Sequence, residues 1–164
     1  MPVEYNGAKF AALGERLAAA NGYQLKVGVV GPGAAAVEAD SDLTMAALAL
    51  IHEYGTEDGH IPERAPLRKT LLAHRDEIAV LMRKIAFAIY RGGDAEALLN
   101  ELGAKIAGWV KLTIRAKLDP PNALSTIRRK GSSTPLVDDS QLINAYTWLV
   151  EQVGGVDAVL AEAA

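Results

Sequence analysis

The sequence predicts an α+β fold in which helices dominate and two β segments stand far apart along the chain. Alanine supplies 29 of the 164 residues and aromatics only nine, and alanine loses almost nothing on entering a helix. Apolar residues keep helical spacing through residues 7–20 and 67–91. Strand composition is confined to residues 23–30 and 146–150, with nearly all the helical pattern between them.

In chain order, the first helix covers residues 7–20, where Phe10, Leu13 and Leu17 fall at i, i+3 and i+7. Asn21 and Gly22 stop it, because both tolerate the left-handed conformation that follows a helix. Residues 23–30 alternate over part of their length and end β-branched, which makes them the strongest strand. Residues 31–42 form a loop that opens on Gly31-Pro32-Gly33 and closes on Glu38, Asp40 and Asp42. Ser41 or Asp42 can cap a helix over about residues 43–53, apolar on most sides and therefore expected to be buried. That helix ends at Tyr54-Gly55-Thr56, and a polar loop runs to Arg64.

Pro66 suits the first turn of a helix. Leu67, Leu71, Ile78, Leu81, Met82, Ile85 and Ile89 then predict one long helix as far as Arg91. Gly92-Gly93 breaks it, and Asp94 caps a second long helix to about Leu118. Asp119-Pro120-Pro121-Asn122 ends any helix there. Residues 123–130 suit a short basic helix and residues 131–135 an exposed loop, and Tyr146-Thr147-Trp148-Leu149-Val150 is composed to pair with the first strand. One α+β domain over residues 1–153 and a short C-terminal tail over 154–164 are expected, since roughly 100–200 residues make one core.

Composition removes whole classes of function. Seventeen Lys and Arg against twenty Asp and Glu leave a net charge of −3, which argues against coating DNA or an anionic membrane. The absence of cysteine removes thiol catalysis, thiolate metal sites and disulfides. The N-terminus lacks the basic–apolar–small layout of a signal peptide. No apolar run approaches the roughly 18 residues of a membrane span; the longest, residues 45–51, stops at His52. A soluble, non-secreted protein is the expectation.

Reactive constellations are equally sparse. His52-Glu53 opens like the zinc-protease helix motif, but position i+4 is Thr56, beyond a glycine. His60 and His74 have no paired spacing. The glycines at 28, 31 and 33 follow G-x-x-G-x-G rather than the dinucleotide order, and Pro32 lacks a donor that a phosphate would need. Ser125, Ser132, Ser133 and Ser140 lie in polar segments where serine caps or turns. No catalytic residue, metal site or cofactor is expected. Two basic concentrations remain: seven Lys and Arg against two acids over residues 64–91, and five against Asp119 alone over residues 115–130. They read as solvated faces balanced by acidic segments elsewhere, or as contacts with acidic neighbours or passing DNA.

Two stretches carry a resemblance that composition cannot. The first is Ala47-Leu48-Ala49-Leu50-Ile51-His52-Glu53-Tyr54-Gly55-Thr56, followed by Ile61-Pro62-Glu63-Arg64-Ala65-Pro66-Leu67-Arg68. The second runs from Pro120-Pro121-Asn122 through Thr126-Ile127-Arg128-Arg129-Lys130-Gly131-Ser132-Ser133-Thr134-Pro135-Leu136-Val137-Asp138 to Gln141-Leu142. In this order they resemble the tail-completion or neck proteins of tailed bacteriophages, also described as minor tail or virion morphogenesis proteins, over about residues 24–150. The chain departs from the family pattern in two places. Arg64-Ala65-Pro66-Leu67 stands where Arg-Pro-Phe-Leu is usual, and Asp139-Ser140 stands where Thr-Gly is usual.

The resemblance implies a small, mostly antiparallel sheet packed with several helices, two of them long. It implies a structural virion protein at the head–tail junction, assembled in the host cytoplasm, that completes the tail and joins it to the head. Tail-terminator ring subunit and DNA-contacting connector module are the alternatives; an enzyme would need a polar cluster that the residues do not assemble. The implied partners are further copies in a cyclic, six-fold oligomer, adjacent neck, connector and tail proteins, and transient DNA in the lumen, with no membrane and no cofactor. The interaction candidates are His52, Glu53, Tyr54, Arg64, Arg68, Arg128, Arg129, Lys130 and Asp138. Asp138 is placed to cap the turn at Gln141-Leu142 or to pair with Arg64 or Arg68. Arg128, Arg129 and Lys130 are expected to face a partner subunit rather than DNA.

Overall fold

A computed structural model describes residues 7–37, 42–116 and 141–153. These residues form α1 (Gly7–Asn21), β1 (Tyr23–Val29), α2 (Met45–Tyr54), α3 (Pro66–Ala73), α4 (Arg75–Tyr90), α5 (Ala95–Arg115), α6 (Gln141–Ala145) and β2 (Tyr146–Gln152), with a 3-10 turn at Pro32–Ala35. β1 and β2 pair as a two-stranded antiparallel sheet. The Val153 N–H donates to the Gly22 carbonyl at 2.7 Å, tying the end of one strand to the start of the other. Along β1, side chains 23 to 27 alternate between half-buried and exposed, as a strand covered on one face must. The fold is α+β, as expected, and α4 and α5 are its two long helices at 16 and 21 residues. The expected tail over 154–164 lies outside the described residues.

The described residues divide into two compact units, one of residues 7–25, 76–102 and 150–153, the other of residues 26–37, 42–75, 103–116 and 141–149. In the first, α4 turns Ile78, Leu81, Ile85, Ala88 and Ile89 to a half-buried stripe, and the opening turns of α5 bury Ala95, Leu99 and Leu102. The helix α4 stops where expected. Gly92, at φ 96°, donates to the Ile89 carbonyl at 2.8 Å, and Gly93 donates to the Ala88 carbonyl at 2.9 Å. Asp94 then accepts the Ala97 N–H at 3.2 Å and caps α5.

The core of the second unit is built on α5. Val110 and Ile114 are fully enclosed by Met45, Leu142, Ile143 and Tyr146, with Val29, Leu48, Ala49, Leu67 and Ala145 packed around them. Burying side chains of this size contributes about 1.5–3 kcal/mol each, so the short α6 is held by its core contacts rather than by helix propensity.

Three local expectations are corrected. Thr44, not Ser41 or Asp42, caps α2, with its hydroxyl accepting the Ala47 N–H at 3.2 Å. An isolated antiparallel bridge between Val37 and Thr44 holds residue 44 extended, so the helix cannot start earlier. The helix itself is not buried all round: Met45 is enclosed, while Leu50 is 60% exposed. The single helix expected from 66 to 91 is two, separated at His74, whose ring stacks on Trp109 with centroids 4.0 Å apart and planes 2° from parallel.

Gly55 ends α2 at φ 76°, and a Cβ there would stand 2.9 Å from two backbone atoms, Glu63 N and Ile61 O. Replacement by alanine combines left-handed strain with a clash that backbone cannot relieve cheaply. Gly55→Ala is expected to lower stability by about 2 kcal/mol or more in urea denaturation. Gly33→Ala, where a Cβ meets nothing within 4 Å, serves as the neutral comparison.

Candidate functional site

The junction of α2 with α3 gathers five of the nine side chains singled out in the sequence: His52, Glu53, Tyr54, Arg64 and Arg68. Its construction starts from a deficiency. The residue before α3 is Ala65, which has no side-chain acceptor, and Pro66 at the first helical position has no N–H. The first free amides of α3 are therefore those of Leu67 and Arg68. Glu53 receives both, Oε2 from Leu67 at 3.1 Å and Oε1 from Arg68 at 3.0 Å. The carboxylate also faces the positive end of the α3 dipole.

Arg68 completes the clasp. Its Nη2 donates to the Glu53 backbone carbonyl at 3.1 Å and to Glu63 Oε1 at 2.7 Å, and its Nε lies 3.8 Å from Glu53 Oε1. The same guanidinium sits 5.6 Å from the centre of the Tyr54 ring. One turn back, the His52 carbonyl accepts two amides, from Arg64 at 3.0 Å and Ala65 at 3.1 Å. Ala65 is enclosed in the left-handed conformation at φ 48°, ψ 54°. Arg64 is buried, and that burial pushes its guanidinium below its ordinary pKa.

The connecting loop is tied to itself. The Thr56 hydroxyl donates to Asp58 at 2.6 Å and accepts the Ile61 N–H at 2.9 Å, while Asp58 also accepts the His60 N–H at 3.0 Å. Those bonds, the Thr56 hydroxyl first and then the His60 amide, hold the Asp58 carboxyl below its ordinary pKa. Below the junction, Tyr146 is pushed well above the ordinary phenol value, first by burial and then by the negative charge of Glu53.

What the junction offers outward is a patch of large side chains in a fixed frame. Leu50 and Tyr54, one helical turn apart on α2, are 60% and 66% exposed. Arg68 covers one side of Tyr54, with exposed Leu71 and Leu72 at i+3 and i+4 from it on α3, and Glu57, Asp58 and Glu63 are exposed in the loop between the two helices. Tyrosine and arginine in such settings are residues of protein contacts. Among the described residues, no group of three or more His, Cys, Asp or Glu is placed to hold a metal ion, and no helix is long and apolar enough to cross a membrane. After β1, the Ala34 and Ala36 amides donate to the Gly31 and Gly33 carbonyls, so the glycine loop spends these donors on itself.

Arg128, Arg129, Lys130 and Asp138 lie outside the described residues. Sequence reasoning left several contributors out of the site. Glu63 stands inside the recognisable stretch but faces Arg68 only because the loop folds back. Thr70 is buried with its hydroxyl 2.7 Å from the Pro66 carbonyl and 2.8 Å from the Thr113 hydroxyl; with one proton, it donates to the carbonyl and accepts from Thr113. Trp109 stacks on the His74 ring and is also met by Lys105, whose Nζ is 5.1 Å from the indole centre. No protein-family model, curated protein or solved structure matches the chain.

Two outcomes check this geometry. Glu53→Gln leaves one oxygen for two amides and removes a charge, so a loss of about 1–3 kcal/mol is expected. Arg68→Met, removing a half-exposed cation, is expected to cost no more than about 1 kcal/mol; the reverse order in denaturation would refute the capping role. Tyr146 stays protonated in the native state while the unfolded chain ionises near pH 10. Stability is therefore intact below about pH 10 and falls above it, by up to about 1.4 kcal/mol per pH unit from this group. Tyr146→Phe is expected to flatten that part of a stability–pH profile.

Proposed function

We propose that the chain is a structural subunit of a tailed-bacteriophage virion, a tail-completion or neck protein that assembles as a ring at the head–tail junction and joins tail to head. The observation that supports this most directly is the unity of the junction. Residues 47–56 and 61–68, which carry the first half of the resemblance, fold as one object held by Glu53, Arg68 and the His52 carbonyl. Its inward members hold the backbone, and its outward members are Leu50, Tyr54 and Arg68.

This division of labour suits a permanent protein contact. Arg68 is already fixed by Glu53 and Glu63, so little side-chain freedom remains to be lost when a partner arrives. A heterologous contact between such subunits closes into a ring or extends into a filament; a neck requires the ring. In this proposal the protein is not an enzyme, and the virion neck is where it resides.

Electron microscopy of the purified protein tests it, with closed rings around a central opening as the expected result. Leu50→Ser with Tyr54→Ser is expected to reduce ring formation while lowering the unfolding free energy by no more than about 1–2 kcal/mol, from helix propensity and the lost Arg68–Tyr54 contact. Native mass spectrometry showing monomers at every concentration, with and without neck proteins, would overturn the proposal.

A further inference from the structure

The first unit carries a surface with no role in the junction. On α4, Val80, Lys84 and Phe87, with Arg91 just beyond its end, fall at i, i+4, i+7 and i+11, away from the half-buried stripe of Ile78, Leu81, Ile85 and Ile89. Phe87 is 60% exposed, and Val80 and Tyr90 are exposed beside it. The rings of Phe87 and Tyr90 stack with centroids 6.4 Å apart, and the Arg91 guanidinium lies 5.7 Å from the centre of Phe87. Both acids of the helix, Asp76 and Glu77, are in its first turn. From residue 78 to 91 the only charges are Arg83, Lys84 and Arg91, all exposed.

Charge and chemistry identify the occupant. The whole chain is −3 and this segment is +3, so the remainder of any copy carries −6 and attracts it. The α2–α3 junction supplies the complementary surface: exposed Leu50 and Tyr54 for an apolar face, with the exposed carboxylates of Glu57, Asp58 and Glu63 in the loop that follows Tyr54. A carboxylate has room for about four hydrogen bonds, and Glu63 spends one on Arg68. Duplex phosphates would satisfy the cations but would leave Val80, Phe87 and Tyr90 without an apolar counterpart.

We propose that the outer face of α4 in one copy binds the α2–α3 junction of the next copy, with Lys84 and Arg91 on the carboxylates of Glu57 and Glu63, and Phe87 against Leu50 and Tyr54. Two different patches meet, so every copy offers one of each and the contact repeats. This rests on the proposed ring and names the surfaces that build it.

Sedimentation velocity on the full chain tests the pairing by charge exchange. Lys84→Glu with Arg91→Glu, and separately Glu57→Lys, are each expected to weaken self-association about tenfold or more. Combining Lys84→Glu with Glu57→Lys, which leaves Arg91 opposite Glu63, is expected to restore most of the loss that Glu57→Lys causes. Unchanged circular dichroism and urea midpoints establish that these exposed changes leave the fold intact. Oligomers indifferent to both reversals would overturn the α4 contact and leave the ring standing, whereas a wild-type chain that is monomeric at every concentration would overturn both. Weakening without recovery would overturn the direct pairing. Intact self-association combined with lost binding of duplex DNA, in the Lys84→Glu/Arg91→Glu variant, would reassign the face to nucleic acid.

Discussion

A helix that begins on Ala65-Pro66 has no side chain of its own to receive its first free amides, and in this chain Glu53 receives them from fourteen residues earlier. Much of the second unit's surface follows from that contact. For the carboxylate to reach, α2 must end at residue 54 and the backbone must turn back at once, which is why residue 55 is a glycine at positive φ with no room for a Cβ. The return brings Arg64 and Ala65 onto the His52 carbonyl and sets Arg68 against Glu53, Glu63 and Tyr54. The same carboxylate is close enough to Tyr146 to oppose ionisation of its buried phenol. A local capping defect is thus repaired by a contact across the loop, and the repair positions the side chains that face outward.

What the sequence made legible was local chemistry. The stops at Gly55 and at Gly92-Gly93, the helix start at Pro66 and the Asp94 cap each act over a turn or two, so residue type and spacing reveal them. The pairing of β1 with β2 was readable because few other residues had strand composition. Interactions that span the chain left no such trace. Glu53 reads as an ordinary helix carboxylate until residue 67 is folded beside it. The division of α3 from α4 at His74 is invisible to periodicity, since Leu67, Leu71, Ile78 and Leu81 fit one helix or two; the stack of His74 on Trp109 joins residues 35 apart. The exposure of Leu50 was misread for a related reason. A helix apolar on most sides has no sequence signal for which side is left open.

At Ala65 the backbone departs from what the resembled tail-completion pattern implies. The pattern places proline at this position, and proline is held near φ −65°. Here the residue is at φ 48°, which proline cannot adopt, so a chain with proline there must enter α3 by another path. The aromatic that follows in the pattern is replaced by Pro66, which is buried; it supplies the first helical turn without an N–H rather than filling space with a ring. Both departures fall on the entry to α3, the part of the junction that Glu53 and the His52 carbonyl hold from outside. What the entry to α3 requires in this chain is an acceptor for its first free amides, and Glu53 is that acceptor. Glu53 in turn depends on the glycine that lets the chain turn back toward it.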